Sequence, residues 1–530
     1  MGPDQGKPTS AHGEYVIATT LRSDLAEQTR EPAKKDPFGT RARSLARRSV
    51  LVLPGTLLTL ALGLWGVRRE GTMWRDEVVT YDVARRGVSG LWQTLGNADA
   101  VHGLYYLLMH GLFRLTGGAD PLLVLRVPSV LAMAAAAAGV AVLGGRLAGR
   151  RAGLLSGVVF AVLPPVQRFA QEGRSYAMVC ALVVWATYLL VRAIAASVPV
   201  PGSAEGRRAR RLWCAYGAVL LVACLLHEFA VFALAAHALA VPRAVRGRWA
   251  AAAGAVVVGL APLVVVSERQ KAQVAWLHVN VGWYAAAVGV CVVGAGCAAL
   301  LRKWTPGAFP HRPVELPRLA LSLLVAPTAT LLALTPITPL YVDRYVLYGY
   351  AGLALLIGPL LGTVLGTAGA VTGRQRATAL VVIAVAVTTL VPVSAHLRTP
   401  QSRLDNATAA ARAIADASAR GDAVLYMPLR RRVWSLPDPG AFAGLRDLAL
   451  DRSPAASHTL YGTEVPADVI RARLLTRPRV VFVTDPSGDP GGTGEAESMK
   501  RDILRERFEP CRTWHGQEFR VTLYARPGRC

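Results

Sequence analysis

The sequence predicts an α-helical polytopic membrane protein with a small α/β domain at its C-terminal end. Of its 530 residues, 53% are hydrophobic and only 18% are charged, whereas soluble domains carry about 25% charged residues. Apolar runs recur from residue 49 to residue 393, and many reach the roughly 17–25 residues that a membrane-spanning helix needs. From residue 394 the pattern changes to short segments that are typical of strands.

Eleven apolar runs account for the predicted crossings. They are 49–67, 121–148, 152–168, 174–196, 212–226, 229–241, 249–266, 281–301, 319–335, 345–366 and 377–393. A twelfth run, 103–116, is short for a span, and we expect it to form a helix that dips into the interface. The prediction is therefore about eleven crossings plus one dipping helix.

Basic residues outnumber acidic ones by 59 to 34, which gives a formal net charge of +25. Such an excess first suggests a nucleic-acid partner. The arginines instead cluster at the ends of apolar runs, the positive-inside pattern of membrane proteins, and we exclude nucleic acid on this ground. We expect residues 1–48 to be a disordered basic cytoplasmic arm, 49–393 to be the transmembrane domain with a first outer loop at 68–102, and 394–530 to lie outside.

The C-terminal segment has the pattern of a small α/β domain. Residues 422–428, 479–485 and 519–525 read as strands, and 403–418 has helical spacing. Two of the seven cysteines, Cys511 and Cys530, fall in this polar tail and can pair if the tail is exported. The other five lie inside apolar runs, where we expect small core residues.

The predicted topology gathers unusual polar residues at the outer face. Polar and ionisable groups are costly inside a membrane and usually functional there, so these residues and the tyrosines beside them are the candidate site. They are Asp76, Glu77, Asp99, His102, Tyr105, Gln171, Glu172, Arg174, Tyr176, His227, Arg344 and Tyr345.

Adjacent carboxylates, Asp76 and Glu77, follow the first apolar run. A carboxylate can accept a proton as a catalytic base, and together with His102 this pair can also ligate a divalent ion. A solvated acidic loop, or a helix start at which carboxylates favour the positive end of the dipole, explains the pair as well. Asp99 has a similar alternative, because it can serve as a helix cap.

Two arginines next to apolar runs are the candidate anion ligands. Arg174 lies in "QEGRSY" and Arg344 in "DRY", and the planar fork of donors of arginine suits a phosphate. An interfacial salt bridge that ends a helix is the alternative for Arg174, and a capping Asp–Arg pair is the alternative for Arg344. His227 and Glu228 form either a polar turn or, less readily, a metal site, since adjacent helical residues do not share a face.

The order of these motifs resembles the GT-C glycosyltransferase superfamily. The motifs are "DEVVTYDVAR", "DAVHGLYYLLMHGLFRLTG", "LRVPSVLA", "RFAQEGRSYAM" and "DRY", and they cover roughly residues 50–365. The pattern is most similar to the bacterial branch related to protein O-mannosyltransferases and lipid A aminoarabinose transferases, that is, glycosyltransferase family 39. His102 and Gly103 stand where that family commonly has prolines.

This resemblance implies an integral membrane hexosyl- or pentosyltransferase that uses a polyprenyl-phosphate sugar. It implies that Asp76 is the catalytic aspartate with Glu77 as its neighbour, and that Arg174 faces the donor phosphate. The expected acceptor is an extracytoplasmic glycan, lipid or protein, and inversion at the anomeric carbon is expected. A divalent metal is an open question. The expected location is the plasma membrane of a bacterium, because arginine exceeds lysine and alanine and glycine are abundant.

Two other classes of protein have the same general composition. A transporter or flippase also combines many crossings with intramembrane charges, but such proteins usually show internal repeats and polar groups near the midplane. The polar groups of this sequence collect near one face, and we see no repeat. A membrane-anchored sensor would leave the acidic loop and "QEGRSY" without a role.

Overall fold

The computed structural model describes residues 37–197, 205–270, 280–305, 313–338, 340–366, 372–486 and 494–530. The chain divides into two compact units, Met1–Val50 and Leu51–Cys530, and the second unit contains the candidate site. Most of the predicted cytoplasmic arm, residues 1–36, lies outside the described residues. A helix already begins at Pro37, within the segment that the sequence predicts to be disordered.

Helices dominate the chain up to residue 396. They are α1 (Pro37–Leu64), α2 (Arg75–Arg85), α3 (Val88–Asn97), α4 (Gly103–Thr116), α5 (Pro121–Ala148), α6 (Arg150–Val162), α7 (Pro164–Ala170), α8 (Tyr176–Ala196), α9 (Glu205–Leu226), α10 (Ala233–Ala240), α11 (Arg246–Arg269), α12 (Val281–Trp304), α13 (Leu316–Leu334), α14 (Gly349–Val364) and α15 (Gly373–His396). Helical structure lies within each of the eleven predicted apolar runs, which confirms the helical polytopic class.

Eight helical segments of the described chain are long and apolar enough to cross a membrane. The pair α6 and α7 forms a ninth candidate, bent by 64° at a break before Pro164. Two further helical segments, Glu228–Ala240 and Gly349–Val364, are apolar but shorter than these eight. The predicted dipping helix is α4, which has 14 residues and is therefore short for a span.

Small residues let the helices approach closely. A Cβ on Gly153 of α6 would lie 2.3 Å from the backbone nitrogen of Gly145 in α5. A Cβ on Gly358 of α14 would lie 2.2 Å from the Ser156 hydroxyl oxygen of α6. Between membrane helices, where lipid removes most of the hydrophobic driving force, such close backbone contact is a main source of association.

The C-terminal segment folds as the predicted α/β domain. Its helices are α16 (Ala407–Ala417), α17 (Ala467–Leu475) and α18 (Glu495–Arg507), and its strands are β1 (Ala423–Tyr426), β2 (Arg446–Asp447), β3 (Leu450–Arg452), β4 (Thr463–Glu464), β5 (Arg479–Thr484), β6 (Glu509–Gly516) and β7 (Phe519–Ala525). Five strands form one sheet in the order β2-β1-β5-β7-β6, and β3 pairs with β4.

The central strand β5 pairs in parallel with β1 and antiparallel with β7, with Val481 opposite both Val424 and Leu523. Its β-branched residues are buried on both faces, which suits a strand covered on both sides. Cys511 on β6 forms a disulfide with Cys530. The three predicted strands and the predicted helix are present, whereas α17, α18, β2, β3, β4 and β6 were not predicted.

Candidate active site

Asp76 lies in the first turn of α2, just after the first long apolar helix. Its side chain is 15% exposed, and Arg75 Nε lies 3.7 Å from its Oδ1. Burial raises the pKa of this carboxyl, but the charges of Arg174, Arg344 and Arg75 together outweigh burial and bring the pKa below its usual range. The position at a helix N-terminus favours the same charged form. Asp76 is therefore an ionised and partly accessible carboxylate.

Glu77, the neighbour of Asp76, is fully buried, and both of its carboxylate oxygens accept hydrogen bonds. Arg126 donates from Nε to Oε1 at 2.8 Å and from Nη2 to Oε2 at 2.6 Å. The backbone N–H of Gly173 also donates to Oε1, at 3.0 Å. Although burial raises the pKa of Glu77, the Arg126 charge and hydrogen bonds lower it to about 2. These contacts give Glu77 a structural task, since it joins α2 to α5 and to the loop before α8.

Arg174 lies in the loop before α8, residues 171–175, and hydrogen-bonds to two hydroxyl groups. Its Nη1 donates to the Thr80 hydroxyl and to the Tyr106 hydroxyl, both at 3.3 Å. Its Nε has no hydrogen-bond partner, and no carboxylate of the described residues lies within 4.0 Å of its nitrogens. The side chain is nevertheless buried, at 5% exposure. Arg174 thus holds a desolvated positive charge close to Asp76.

Arg344 is the second buried cation of the site. Its guanidinium carbon lies 6.0 Å from the centroid of Trp74, 5.5 Å from that of Tyr176 and 5.7 Å from that of Tyr345. Aromatic faces stabilise a cation but leave its N–H edge available. Arg344 Nε has no partner, and no carboxylate of the described chain lies within ion-pair distance of its guanidinium. The two arginines therefore make the site suited to an anion.

Two histidines and two tyrosines pack beside the arginines. The ring of His227 lies 5.4 Å from that of His102, 5.4 Å from that of Tyr176 and 4.7 Å from that of Tyr345. Burial, together with the nearby arginine charges, lowers the pKa of both His102 and His227. Both histidines are consequently neutral near pH 7, and His102 Nδ1 is buried without a partner.

Asp99 faces the same group of residues from the loop before α4. Its backbone is left-handed, with φ of 58°, and its carboxylate accepts a hydrogen bond from the Tyr106 hydroxyl. Burial raises the pKa of Asp99, although Arg174 and Tyr106 partly oppose the rise. Asp99 thus orders Tyr106, which in turn contacts Arg174.

Three other predicted site residues are directed elsewhere. Gln171 Nε2 donates to the carbonyls of Gly63 and Trp65 at 2.9 and 2.6 Å. Glu172 Oε1 lies 3.1 Å from Arg403 Nε. The hydroxyl of Tyr105 is buried without a partner, whereas its neighbour Tyr106 contacts both Asp99 and Arg174. Gln171 and Glu172 thus hold the 171–175 loop, and Tyr106 takes the place expected for Tyr105.

A metal site is not evident in the described part of the chain. No group of three or more His, Cys, Asp or Glu side chains there is arranged to hold an ion. Of the three residues considered for a divalent ion, Glu77 has both oxygens occupied by Arg126. Asp76 and His102 are the two remaining candidate ligands, one with an oxygen and one with a nitrogen atom. The described residues place no third ligand beside them.

Sequence reasoning missed four residues that complete the site: Thr80, Tyr106, Arg126 and Trp74. Arg126 had a detectable signal, because it is an isolated charge within the apolar run 121–148 and such charges are normally paired. Thr80 lies one helical turn after Asp76, on the same face of α2. Trp74 and Tyr106 had no signal that distinguished them from the other aromatic residues.

Solved structures of the same fold are known, although no protein-family model and no curated protein matches the chain. The apo structure of ArnT from Cupriavidus metallidurans is 12% identical, with a TM-score of 0.51, and the match covers 89% of this chain and 97% of that one. The structure of that ArnT bound to undecaprenyl phosphate is 13% identical, with a TM-score of 0.50 and coverage of 90% and 98%.

The apo structure of the oligosaccharyltransferase from Archaeoglobus fulgidus is also similar. It is 10% identical, with a TM-score of 0.50, and the match covers 83% of this chain and 70% of that one. At such low identity a match shows the fold. The chain has the fold of the GT-C glycosyltransferases, and the resemblance inferred from the sequence motifs is confirmed at that level.

Proposed function

We propose that this protein is an integral membrane glycosyltransferase that moves a sugar from a polyprenyl-phosphate donor to a hydroxyl group of an extracytoplasmic acceptor. One observation carries the proposal: an ionised, partly accessible Asp76 lies close to Arg174 and Arg344, two buried arginines without a carboxylate partner in the described chain. A base beside an anion site is what transfer from a sugar phosphate requires. The shared fold with an ArnT structure bound to undecaprenyl phosphate supports a polyprenyl-phosphate donor.

In the proposed mechanism, Asp76 accepts the proton of the acceptor hydroxyl while the hydroxyl oxygen attacks the anomeric carbon. The bond between that carbon and the phosphate oxygen breaks, and polyprenyl phosphate leaves with the bonding electrons. Attack from the face opposite the phosphate inverts the anomeric configuration. Arg174 and Arg344 stabilise the charge that grows on the phosphate, and one such donor in a water-poor site is commonly worth about 3–4 kcal/mol.

The proposed location is the plasma membrane, with the C-terminal domain outside. The disulfide between Cys511 and Cys530 supports this orientation, because disulfides persist in oxidising compartments. Arginine clusters lie at the ends of the apolar runs opposite the candidate site. They support the same orientation, because basic residues concentrate on the cytoplasmic side of a membrane protein. A cell-wall glycan, a glycolipid and an exported protein are the acceptor classes that fit a site at the outer face.

Sugar transfer from a panel of labelled undecaprenyl-phosphate sugars tests the proposal. Membranes carrying wild type, Asp76→Asn or Asp82→Asn are compared at equal protein abundance. Asp82 is the matched control, since it lies on the same helix and pairs with Arg86 at 2.6 Å. We expect wild type and Asp82→Asn to transfer one sugar, and Asp76→Asn to lose about 10²–10⁴-fold in rate.

Equal transfer by wild type and Asp76→Asn would remove Asp76 from the role of base and direct attention to Asp99. A lack of transfer by wild type with every donor and with native membranes as the acceptor source would overturn the proposed function.

A further inference from the structure

Helix α2, which carries Asp76, takes its N-terminal cap from a distant part of the chain. The residue before the helix, Trp74, makes no capping hydrogen bond with its side chain. The first N–H of the helix, that of Arg75, instead donates to Asp405 Oδ1 at 2.7 Å, across 330 residues of sequence. The first N–H groups of a helix lack partners within the helix, and carboxylates are good acceptors for them. Asp405 thus caps α2 through a tertiary contact.

Two more hydrogen bonds hold the same junction together. The N–H of Ala407 donates to the Met73 carbonyl at 3.0 Å, and the N–H of Met73 donates to the Thr408 hydroxyl at 2.9 Å. Residues 73–75 are therefore paired with residues 405–408, where the C-terminal domain begins. Asp405 itself is only 5% exposed, so the junction is protected from water.

We propose that Asp405 is a positioning residue for Asp76 and that the C-terminal domain thereby sets the geometry of the reaction. The inference rests on the proposed function for its kinetic test. Asp76 directly follows Arg75, so the cap fixes the turn from which the catalytic carboxylate extends. Displacement of a reacting group by 1 Å can cost about 100-fold in rate, and the Asp405 contact prevents such a displacement.

The same segment of the C-terminal domain also reaches the loop of Arg174. Arg403, two residues before Asp405, has Nε 3.1 Å from Glu172 Oε1, and its Nη2 donates to the Arg168 carbonyl at 3.1 Å. Residues 403–408 therefore contact both chain segments that carry the reacting groups. One short segment keeps the base and the phosphate-binding arginine in register with each other.

The experiment compares wild type, Asp405→Ala, Asp405→Asn and Asp422→Ala as full-length proteins in nanodiscs. Asp422 is the matched control, because this carboxylate of the C-terminal domain is also buried and also accepts from a backbone N–H, that of Ala419 at 2.8 Å, outside the junction. Rates are measured against the concentration of the undecaprenyl-phosphate sugar that wild type uses. Amide hydrogen exchange of residues 74–78 is measured on the same samples without donor.

For Asp405→Ala we expect kcat to fall about 10–100-fold with KM for the donor within about 3-fold of wild type. We also expect faster exchange in residues 74–78. Asp405→Asn keeps an oxygen acceptor and should lose less activity than Asp405→Ala. Asp422→Ala should keep kcat within about 2-fold of wild type, since its lost hydrogen bond belongs to the turn before β1.

An unchanged kcat in Asp405→Ala, or an equal loss in Asp422→Ala, would overturn the inference while leaving the proposed function intact. If wild type transfers no sugar, the proposed function fails, and the exchange measurement alone decides on Asp405. Unchanged exchange in Asp405→Ala would then overturn the inference.

Discussion

Glu77 and Arg126 form a bidentate ion pair with no exposed surface on either side chain, at 2.6 and 2.8 Å. Arg126 also donates to the carbonyls of Val67 and Thr72, both at 2.6 Å. This single arginine therefore joins the segment that follows α1, the start of α2 and helix α5. Removal of Glu77 would leave the buried charge of Arg126 without its carboxylate partner.

We expect Glu77→Gln to lower the free energy of unfolding by about 3–5 kcal/mol, the usual cost of breaking a buried pair. The double variant Glu77→Gln/Arg126→Met should recover part of this loss, because it removes both charges. Thermal denaturation in detergent measures both. Arg68→Gln is the control, since its pair with Asp120 is exposed and should be worth at most about 1 kcal/mol. Equal losses for Glu77→Gln and Arg68→Gln would contradict the prediction.

Arg344 should act mainly on the leaving phosphate. Arg344→Lys keeps a positive charge but loses the planar fork that contacts three aromatic rings. We expect kcat to fall about 10²–10³-fold, the cost of losing one well-placed donor, with a smaller change in KM for the donor. The measurement is steady-state transfer at several donor concentrations. Arg85→Lys, at an exposed arginine of α2, is the control, and equal losses in the two variants would refute the role of Arg344.

Asp405 should give the reaction an acidic limb in its pH profile. Burial raises its pKa to about 6, opposed by Arg75, and Asp76 and Arg431 are the other charged groups that face it. Below about pH 6 the cap becomes neutral and interacts less well with the positive helix end. We expect kcat to fall as the pH drops from 7 to 5, whereas Asp405→Asn should be level over that interval. A retained limb in Asp405→Asn would assign the limb to another group, such as Asp99.

The raised pKa of Asp405 makes the folded protein less stable at neutral pH, although the ionised form is the one that favours activity. A carboxyl whose pKa is raised on folding contributes stability that is present below its unfolded pKa and is lost as the pH rises through about 6. We therefore expect Asp405→Asn to be more stable than wild type at pH 8, by about 1–3 kcal/mol, although it is less active. Thermal denaturation at pH 5 and pH 8 checks this, and a destabilised variant at pH 8 would contradict it.

The proposed orientation can be tested through the disulfide. Cys511→Ser frees Cys530 in the C-terminal domain, and we expect a membrane-impermeant maleimide added to intact cells to label it. Wild type should not be labelled there until it is reduced. The variant Cys511→Ser/Cys530→Ser, which retains the other cysteines, is the control. Labelling of Cys530 only after the cells are opened would place the domain inside.

The chain's own pattern was sufficient to predict the apolar helices and three of the seven strands of the described residues. Apolar runs of helical length become helices because a bilayer leaves no other way to satisfy the backbone. Polar groups such as Asp76, Arg174 and Arg344 lie next to those runs, and the predicted topology places these positions at the same face of the helices. The grouping of these residues in the structure follows from that placement.

The sequence could not predict which of two neighbouring residues makes a given contact in the site. Adjacent residues on a helix point about 100° apart, so Asp76 and Glu77 cannot both face the same group. Which of the two carboxylates is paired depends on the position of Arg126, which only the fold shows. In the same way, only the fold shows that Tyr106, and not Tyr105, contacts Arg174.

By itself, the sequence determined the class of protein, the apolar helices and the set of polar residues next to them, because hydrophobic length and charge placement act locally along the chain. The tertiary structure alone decided which carboxylate stays accessible, which arginines have no carboxylate partner among the described residues, and that Asp405 caps α2 from 330 residues away. These outcomes depend on contacts between segments that are distant in the sequence, and no local pattern encodes such contacts.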